Sequence, residues 1–279
     1  KFIQGSTLSQ PDLFKVFNRN AFDAVIHLAA SKAAGESMID PLKYAENNMV
    51  GSINLIKYCL LAKINIFIFS STAAVYGEPK YLPIDEYHQN SPSNYYGFTK
   101  LEIEKNLKWL SQLKDFNYAA LRYFNVAGYD VNNRIKSLEI SPQNLIPKVM
   151  EAAVGIRKKI KIYGQDYNTE DGTGVRDYIH VTDIAKAHIQ SINYLKSFKK
   201  NITVNLGVGR GYSVLEVINK TIQITQKKIK FEYVERRKGD PDEVVSISKK
   251  AENTIGWIPE YSDLDTLLKS TWNIYKIKF

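Results

Sequence analysis

Cysteine is nearly absent from this sequence of 279 residues, which contains Cys59 and no other cysteine. A disulfide bond within these residues is therefore impossible, and a reducing compartment such as the cytoplasm is expected. Cys59 lies inside an apolar helical pattern, so we interpret it as a small core residue and not as a nucleophile. The four histidines lack the spacing typical of metal ligands, and no metal site is predicted.

Long apolar runs and long basic runs are both missing. No apolar run approaches the ~20 residues that a membrane-spanning helix requires, so no membrane association is predicted. The net charge is +9, but the 38 lysine and arginine residues form only short clusters, which are typical of a solvated surface. Nucleic-acid binding is therefore not predicted, whereas a small polyanion such as a nucleotide is compatible with this charge.

A glycine-rich dinucleotide-binding turn is missing as well. The segment Gly207-x-Gly209-x-Gly211 lacks the Gly-x-Gly-x-x-Gly spacing, and we interpret it as a turn between a strand and a helix. Ser213 follows this turn and is predicted to cap the helix.

Strand and helix patterns alternate along the first half of the chain. Apolar runs over residues 23–28, 64–69 and 118–124 are typical of parallel strands that are buried on both faces. Helical patterns over residues 41–63 and 95–114 separate them, and these gaps are too long for hairpins. The sequence therefore predicts an α/β fold with a Rossmann-like, doubly wound parallel sheet.

Shorter elements are predicted around these segments. They are a strand at residues 2–3, helices at 10–19, 142–155, 181–195 and 264–275, and further strands at 160–163, 203–206 and 229–234.

Tyr96 and Lys100 are the leading candidates for chemistry. Their spacing of four residues places both side chains on one face of a helix, one turn apart. A nearby ammonium favours the phenolate form, so Tyr96 is a candidate general base or acid for a hydroxyl proton. Tyr95 competes for this role, but it lies five residues from Lys100 and points to another helix face.

Three separate segments are expected to meet at one edge of the sheet. Ser70 to Thr72 end one predicted strand, Asn125 follows another, and Tyr96 begins a helix. In open parallel sheets, ligands bind outside the carboxyl ends of the strands. The sequence therefore predicts a ligand site at this edge.

Several segments together resemble the extended short-chain dehydrogenase/reductases, and within that family the UDP-glucose (UDP-galactose) 4-epimerases. The most specific of them, residues 169–181, reads TEDGTGVRDYIHV. The matching segments are residues 25–37, 47–52, 69–77, 96–100, 122–128, 163–167, 169–181 and 236–240.

This resemblance implies a tightly held NAD and a UDP-sugar substrate that is epimerised at C4 through a 4-keto intermediate. Tyr96 would exchange the 4-hydroxyl proton, Lys100 would bind the nicotinamide ribose and lower the Tyr96 pKa, and the Thr72 hydroxyl would bridge substrate and tyrosine. The implied cofactor contacts are Ala29, Lys32, Asn48, Ser70, Tyr96, Lys100 and Tyr123. The implied substrate contacts are Lys32, Thr72, Tyr96, Asn125, Asn144, Leu145, Tyr163, Arg176, Arg237, Asp240 and Val244.

The resemblance also implies two domains and a dimer. The NAD-binding domain would comprise residues 1–128, with 175–200 returning to it. A smaller α/β substrate domain would comprise residues 129–174 and 201–279. Helical segments 41–63 and 95–114 would pair in a homodimer, as is common in the family.

The sequence departs from the family pattern at its beginning. The family opens with a strand, a Gly-x-x-Gly-x-x-Gly turn and a helix whose N-terminus holds the pyrophosphate, and these are not among the residues. We therefore expect an incomplete sheet, weak NAD binding and an inactive chain as written. A nucleotide-sugar 4,6-dehydratase and a non-catalytic nucleotide-binding remnant stay open as alternatives. The dehydratase is disfavoured, because Ala73 and Ala74 stand where it needs an Asp-Glu pair.

Val244 corresponds to a family position at which a tyrosine restricts the sugar pocket. A valine should leave room for an N-acetyl group, so UDP-N-acetylglucosamine is an expected second substrate.

Overall fold

A computed structural model describes residues 1–237 and 239–278, so Lys238 of the basic segment 236–240 lies outside the described residues. The helices are α1 (Gln10–Arg19), α2 (Ala34–Ser37), α3 (Pro41–Tyr44), α4 (Gly51–Leu61), α5 (Tyr95–Leu113), α6 (Leu145–Ala153), α7 (Val181–Phe198), α8 (Val214–Thr225), α9 (Lys249–Ile255) and α10 (Leu264–Lys278). The strands are β1 (Val25–His27), β2 (Ile66–Thr72), β3 (Asn117–Tyr123), β4 (Asn125–Ala127), β5 (Ile160–Tyr163), β6 (Val175–His180), β7 (Ile202–Leu206), β8 (Gly211–Ser213), β9 (Phe231–Val234) and β10 (Glu243–Val244).

The main sheet consists of parallel strands in the order β1-β2-β3-β7. Alternating side chains of β2 point to opposite faces, and each face is covered by helices. Phe67 and Phe69 pack with residues of α4 and α5, whereas Ile68 packs in a second cluster with residues of α7 and α9. Helices on both faces of a parallel sheet confirm the predicted doubly wound α/β fold.

Two smaller sheets lie beyond the main one. Strands β10, β6 and β4 pair in parallel, and β8 pairs antiparallel with β6. Strands β5 and β9 form a separate parallel pair. Because β4 follows β3 after a single residue, the second sheet begins where a central strand of the main sheet ends. The division into two domains stays a prediction. Of the elements near its boundaries, β7 belongs to the main sheet and α7 packs on it, whereas β6 belongs to the second sheet.

Most predicted elements are present with shifted ends. The helix predicted from Pro41 is continuous but contains a π-helical segment, Ala45–Val50, between α3 and α4. The predicted capping role of Ser213 is confirmed, because its side chain and that of Glu216 form a capping box at the start of α8. None of the helices within residues 1–237 and 239–278 combines the length and the apolarity needed to cross a membrane.

The strand predicted at residues 2–3 is wrong. Phe2 is largely exposed, and this segment pairs with no described strand. An isolated extended segment does not form a strand, because the backbone groups of a strand need a neighbouring strand for their hydrogen bonds.

The start of α5 packs closely against the end of β2. Asn94 caps the helix by accepting a hydrogen bond from the Gly97 backbone N–H at 2.9 Å. A short 3₁₀ turn, Ala73–Val75, follows β2 and lies directly beside Gly97. A Cβ atom on Gly97 would lie 2.4 Å from the Ala74 carbonyl oxygen. The absence of a side chain at Gly97 therefore allows the first turn of α5, with Tyr96, to approach the end of β2 this closely.

We expect Gly97→Ala to lower the free energy of unfolding by about 1–3 kcal/mol, because the methyl group meets a backbone oxygen that cannot rotate away. Thermal or urea denaturation measures the change. The matched control is Gly35→Ala in α2, where an added Cβ meets no atom within 4 Å. Equal stability of the Gly97 variant and the wild-type protein would contradict the close packing described here.

Candidate active site

Tyr96 and Lys100 lie in the first turns of α5, over the carboxyl end of β2. The Lys100 ammonium donates a hydrogen bond to the Ser70 carbonyl oxygen at 2.7 Å. It lies 4.8 Å from the centre of the Phe69 ring and 6.0 Å from the centre of the Tyr96 ring. The structure thus brings together the two residues that sequence spacing paired.

The alternative tyrosine lies apart from this pair. The Tyr95 ring packs against the Phe98 ring, with 5.3 Å between their centres. Tyr96 is therefore the tyrosine that shares the environment of Lys100.

Burial controls the charge of this pair. Lys100 is only 2% exposed, and loss of solvent lowers the pKa of its ammonium from 10.5 to about 7, with Glu104 acting in the opposite direction. Burial also raises the pKa of the Tyr96 phenol, which a hydrogen bond with Thr72 partly offsets. The net direction for Tyr96 is opposite to the expected lowering by Lys100, because desolvation of the phenolate outweighs the other effects.

Thr72 is the last residue of β2 and faces the Tyr96 phenol. Its hydroxyl accepts a hydrogen bond from the Ala74 backbone N–H at 3.2 Å and lowers the pKa of the neighbouring Tyr96 phenol. A hydroxyl both donates and accepts, so Thr72 can pass a hydrogen bond between the phenol and a second oxygen. The sequence-predicted trio of Thr72, Tyr96 and Lys100 is thus assembled at one place.

Asn48 fastens the loop that follows β1. It is almost fully buried, accepts from the Ser31 backbone N–H at 2.8 Å, and donates to the Ser31 carbonyl oxygen at 3.0 Å and to Thr99 at 3.2 Å. Asn48 therefore joins this loop to α5. Ala29 lies in the same loop and is exposed.

Lys32 lies at the surface beyond this loop. Its ammonium forms an ion pair with Glu139 at 2.8 Å, and its side chain is 62% exposed. Lys32 is thus near the site edge and is not buried among the other candidates.

Tyr123 ends β3 next to the site and is held by a histidine that sequence reasoning missed. Its hydroxyl lies 2.6 Å from Nε2 of His188, and Nδ1 of His188 lies 2.7 Å from the Ile184 carbonyl oxygen. A carbonyl only accepts, so Nδ1 carries the proton and the Tyr123 hydroxyl donates to Nε2. Burial raises the Tyr123 pKa, so the hydroxyl stays protonated.

Two arginines and two carboxylates line a cavity of about 360 Å³ beside the second sheet. The Arg237 guanidinium lies 3.8 Å from the centre of the Tyr163 ring, and Arg176 lies 3.7 Å from the Asp240 carboxylate. The cavity is lined by Glu78, Arg236, Arg237, Gly239, Asp240 and Pro241. Guanidinium groups bind phosphate oxygens in bidentate fashion, so this cavity suits a diphosphate.

The other predicted substrate residues lie on elements of the second sheet and its helices. Asn125 begins β4 and donates to the Asp177 carbonyl oxygen at 3.3 Å. Asn144 precedes α6 at its cap position, and Leu145 is the first residue of that helix. Val244, on β10, pairs with Arg176 of β6 and packs, as Ala73 does, against the buried cluster around Tyr76.

Asp177 is a further residue that sequence reasoning did not single out. Its buried carboxylate accepts from the backbone N–H groups of Val208 and Gly209 at 2.8 and 3.1 Å, and from the Ser246 hydroxyl at 2.9 Å. It fixes the glycine-containing turn, which was predicted to join a strand to a helix and instead joins β7 to the short strand β8 that leads into α8. Residues 169–181 contain Asp177, but a pattern along the chain does not tell which distant backbone groups it binds.

Comparison with known proteins decides the family. A sequence profile described as "NAD dependent epimerase/dehydratase family" matches residues 1–207. The chain belongs to this family. It is an α/β family with the parallel sheet seen here, and its cofactor is NAD, as the resemblance implied.

Relatives with a stated activity are similar over nearly the whole chain. A protein from Halalkalibacterium halodurans named UDP-glucose 4-epimerase is 42% identical over 99% of this chain and 82% of its own length. The crystal structure of UDP-glucose 4-epimerase from Brucella ovis in complex with NAD superimposes with a TM-score of 0.95, at 39% identity, and covers 99% of this chain and 85% of that one.

A third relative carries a nucleotide as well as the cofactor. The structure of UDP-glucose 4-epimerase from Bifidobacterium longum in complex with NAD⁺ and UDP has a TM-score of 0.93 and 37% identity, over 99% of this chain and 82% of that one.

The hydrogen-bond donors and the small residues at this edge of the sheet fit NAD. An ammonium carries three N–H donors, and among the described residues Lys100 directs a hydrogen bond only to the Ser70 carbonyl, which leaves donors for a ribose hydroxyl. The small residues Ala29 and Ala30 follow β1 at the same sheet edge, where a dinucleotide approaches the backbone in this class of fold.

We expect Lys100→Met to stabilise the cofactor-free protein by roughly 2–4 kcal/mol below pH 7. The folded pKa of Lys100 is about 7 and the unfolded value is 10.5, so at low pH folding must bury a charge that methionine lacks. Wild-type stability then rises between pH 7 and 10.5, and the advantage of the variant shrinks over that range. Thermal denaturation against pH measures this.

The control for this prediction is Lys105→Met on the exposed side of α5, where the lysine pairs with Glu102 at the surface. It should change stability little. A Lys100→Met protein that is less stable than the wild type at pH 6 would contradict the burial argument.

Proposed function

We propose that this protein catalyses NAD-dependent epimerisation at C4 of a UDP-hexose, interconverting UDP-glucose and UDP-galactose. The observation that carries the proposal is the meeting of Thr72, Tyr96 and Lys100 at the carboxyl end of β2. Its support is this geometry, together with the family and the similarity to named UDP-glucose 4-epimerases.

Each residue of the trio has a defined part in the proposed reaction. The Tyr96 phenolate takes the proton of the sugar 4-hydroxyl and the resulting phenol later returns it, and the Thr72 hydroxyl bridges the sugar oxygen and Tyr96. Lys100 holds the nicotinamide ribose and supplies positive charge beside the phenol. Bound NAD supplies a reversible hydride acceptor, which allows C4 of the sugar to pass through a ketone.

The cofactor lies, in this proposal, along the loop after β1 and the end of β3. Its contacts are Ala29, Lys32, Asn48, Ser70, Tyr96, Lys100 and Tyr123. Asn48 and Tyr123 are suited to hold it in place, because each is fixed by hydrogen bonds to the surrounding protein.

The nucleotide lies at the cavity lined by Arg236 and Arg237, where Arg176 pairs with Asp240. Arg176, Arg237 and Asp240 bind the UDP moiety there, with the Tyr163 ring stacked on Arg237. Asn125, Asn144 and Leu145 complete the pocket from β4 and the start of α6, which carries the partial positive charge of a helix N-terminus.

The dehydratase alternative has less support. Net dehydration needs a further acid near the sugar, and the two residues after Thr72 are Ala73 and Ala74, which form a 3₁₀ turn and carry no titratable group. The expectation that residues 1–279 alone bind NAD weakly stays a prediction, and so does the non-catalytic alternative.

Tyr96→Phe should reduce the rate of UDP-galactose conversion by the holoenzyme by about 10²–10⁴-fold, because the proton of the 4-hydroxyl loses its acceptor. A coupled assay for UDP-glucose measures the rate. The matched control is Tyr95→Phe, which removes a hydroxyl one residue away and should leave the rate within a few fold. An undiminished rate in Tyr96→Phe would refute the proposed function.

Val244 is proposed to admit N-acetyl sugars. It lies opposite Arg176 and packs, as Ala73 does, against one buried apolar cluster, and a valine leaves more room there than an aromatic ring. Wild-type protein should therefore convert UDP-N-acetylglucosamine, and Val244→Tyr should lose this turnover while it retains that of UDP-glucose. Equal exclusion of N-acetyl sugars by both proteins would contradict the proposal.

A homodimer is proposed through the helical segments that flank the site. Their outer surfaces carry exposed large apolar side chains, a pattern typical of interfaces. These side chains are Leu42, Val50, Ile53, Leu61, Phe98, Trp109 and Leu113. Sedimentation velocity should give twice the chain mass, and Trp109→Glu should shift the protein toward the monomer. A monomer at micromolar concentration would contradict this.

A further inference from the structure

Glu104 and Arg122 form a buried ion pair beneath the candidate active site. Glu104 is 7% and Arg122 is 4% exposed. The guanidinium donates to both carboxylate oxygens, from Nε at 3.0 Å and from Nη2 at 2.6 Å. The Ser71 hydroxyl also donates to Glu104. A buried ion pair contributes little net stability compared with apolar residues of similar size, so stability alone does not account for it.

The carboxylate of this pair stands one helical turn beyond Lys100 on α5. Residues four apart lie on the same face of a helix, so Glu104 shares the buried side of α5 with Lys100. Two adjacent residues of β2 each hold one of these side chains. The Ser70 carbonyl accepts from Lys100, and the Ser71 hydroxyl donates to Glu104. The end of β2 therefore fixes the ammonium and the carboxylate relative to each other.

The guanidinium is held on the far side of the carboxylate. Nη1 of Arg122 donates to the Tyr76 hydroxyl at 2.8 Å, and that hydroxyl donates to Asn205 at 2.6 Å. These bonds hold Arg122 toward β7. Of the two charges of the pair, it is the carboxylate that acts on Lys100.

Other groups facing Lys100 do not supply this negative charge. His27 of β1 is buried and bonded to Ser52, and the charge of Lys100 helps to lower the pKa of His27 to about 4, which leaves the ring neutral. Phe69 of β2 presents only its ring, and burial raises the pKa of Tyr96 on the same helix, which disfavours a negative charge there in the cofactor-free protein.

We propose that Glu104 is a positioning residue for the proposed reaction, which keeps Lys100 in its ammonium form beside Tyr96. Arg122 and Ser71 act through Glu104, because they hold the carboxylate in place. This inference rests on the proposed epimerase function.

Glu104→Gln tests the role of the charge with little change in shape. Glutamine still accepts from Ser71, but the negative charge is lost. The alkaline limb of the kcat profile of the holoenzyme should then move to lower pH by about 1 unit, because Lys100 loses its proton more readily. Glu102→Gln removes a carboxylate from the exposed side of the same helix and should leave this limb in place.

A double variant separates the charge of Glu104 from its role in folding. Glu104→Gln alone leaves Arg122 buried without a counterion, whereas Glu104→Gln with Arg122→Met removes both charges and restores a neutral core. The alkaline limb should remain displaced in the folded double variant. A limb at the wild-type position in either variant would overturn the proposal, because a structural pair affects stability and not the charge of Lys100.

A second readout needs no turnover. In the cofactor-free wild-type protein the part of the stability that depends on Lys100 rises above about pH 7, and in the double variant this rise should begin at lower pH. Thermal denaturation against pH measures the onset, and an unchanged onset overturns the proposal. If the wild-type holoenzyme fails to convert UDP-sugars while the onset moves, the epimerase proposal fails and the effect of Glu104 on Lys100 stands.

Discussion

The buried ammonium of Lys100 is the constraint on which the site depends. A charged group at 2% exposure is costly, and a carbonyl oxygen of β2 together with a nearby carboxylate offsets part of that cost. These partners exist only because α5 crosses the carboxyl end of the parallel sheet. The resulting pKa near neutrality means that small changes in the surroundings shift the charge of Lys100, as expected of a group used in proton chemistry.

Two sets of contacts fix α5 against the main sheet at this point. Asn94 and Gly97 fix the first turn of α5 against the 3₁₀ turn after β2, while Asn48 ties α5 to the loop after β1. The cofactor side and the sugar side of the site thus depend on the same few contacts. The cavity lined by Arg236 and Arg237 is built separately, from residues between β9 and β10 together with Glu78. The second sheet is joined to the main sheet by β4, which follows directly after β3.

Much of this could be predicted from the sequence, because its signals are local. Helical spacing placed Tyr96 beside Lys100, and apolar runs gave the parallel strands, although their ends moved by a few residues. The strand predicted at residues 2–3 was wrong, since the pattern does not reveal whether a partner strand lies alongside. The upward shift of the Tyr96 pKa was also missed, because the sequence does not give the depth at which a residue is buried.

The sequence by itself determined most of the longer helices and strands, the parallel main sheet and the family resemblance, because hydrophobic period and short motifs are written along neighbouring residues. Only the tertiary structure decided which distant groups meet: Glu104 with Arg122, Tyr123 with His188, and Asp177 with the turn at Val208. These contacts join residues 18 to 65 positions apart in the chain. No local pattern encodes them, since each arises from how elements distant along the chain pack against one another.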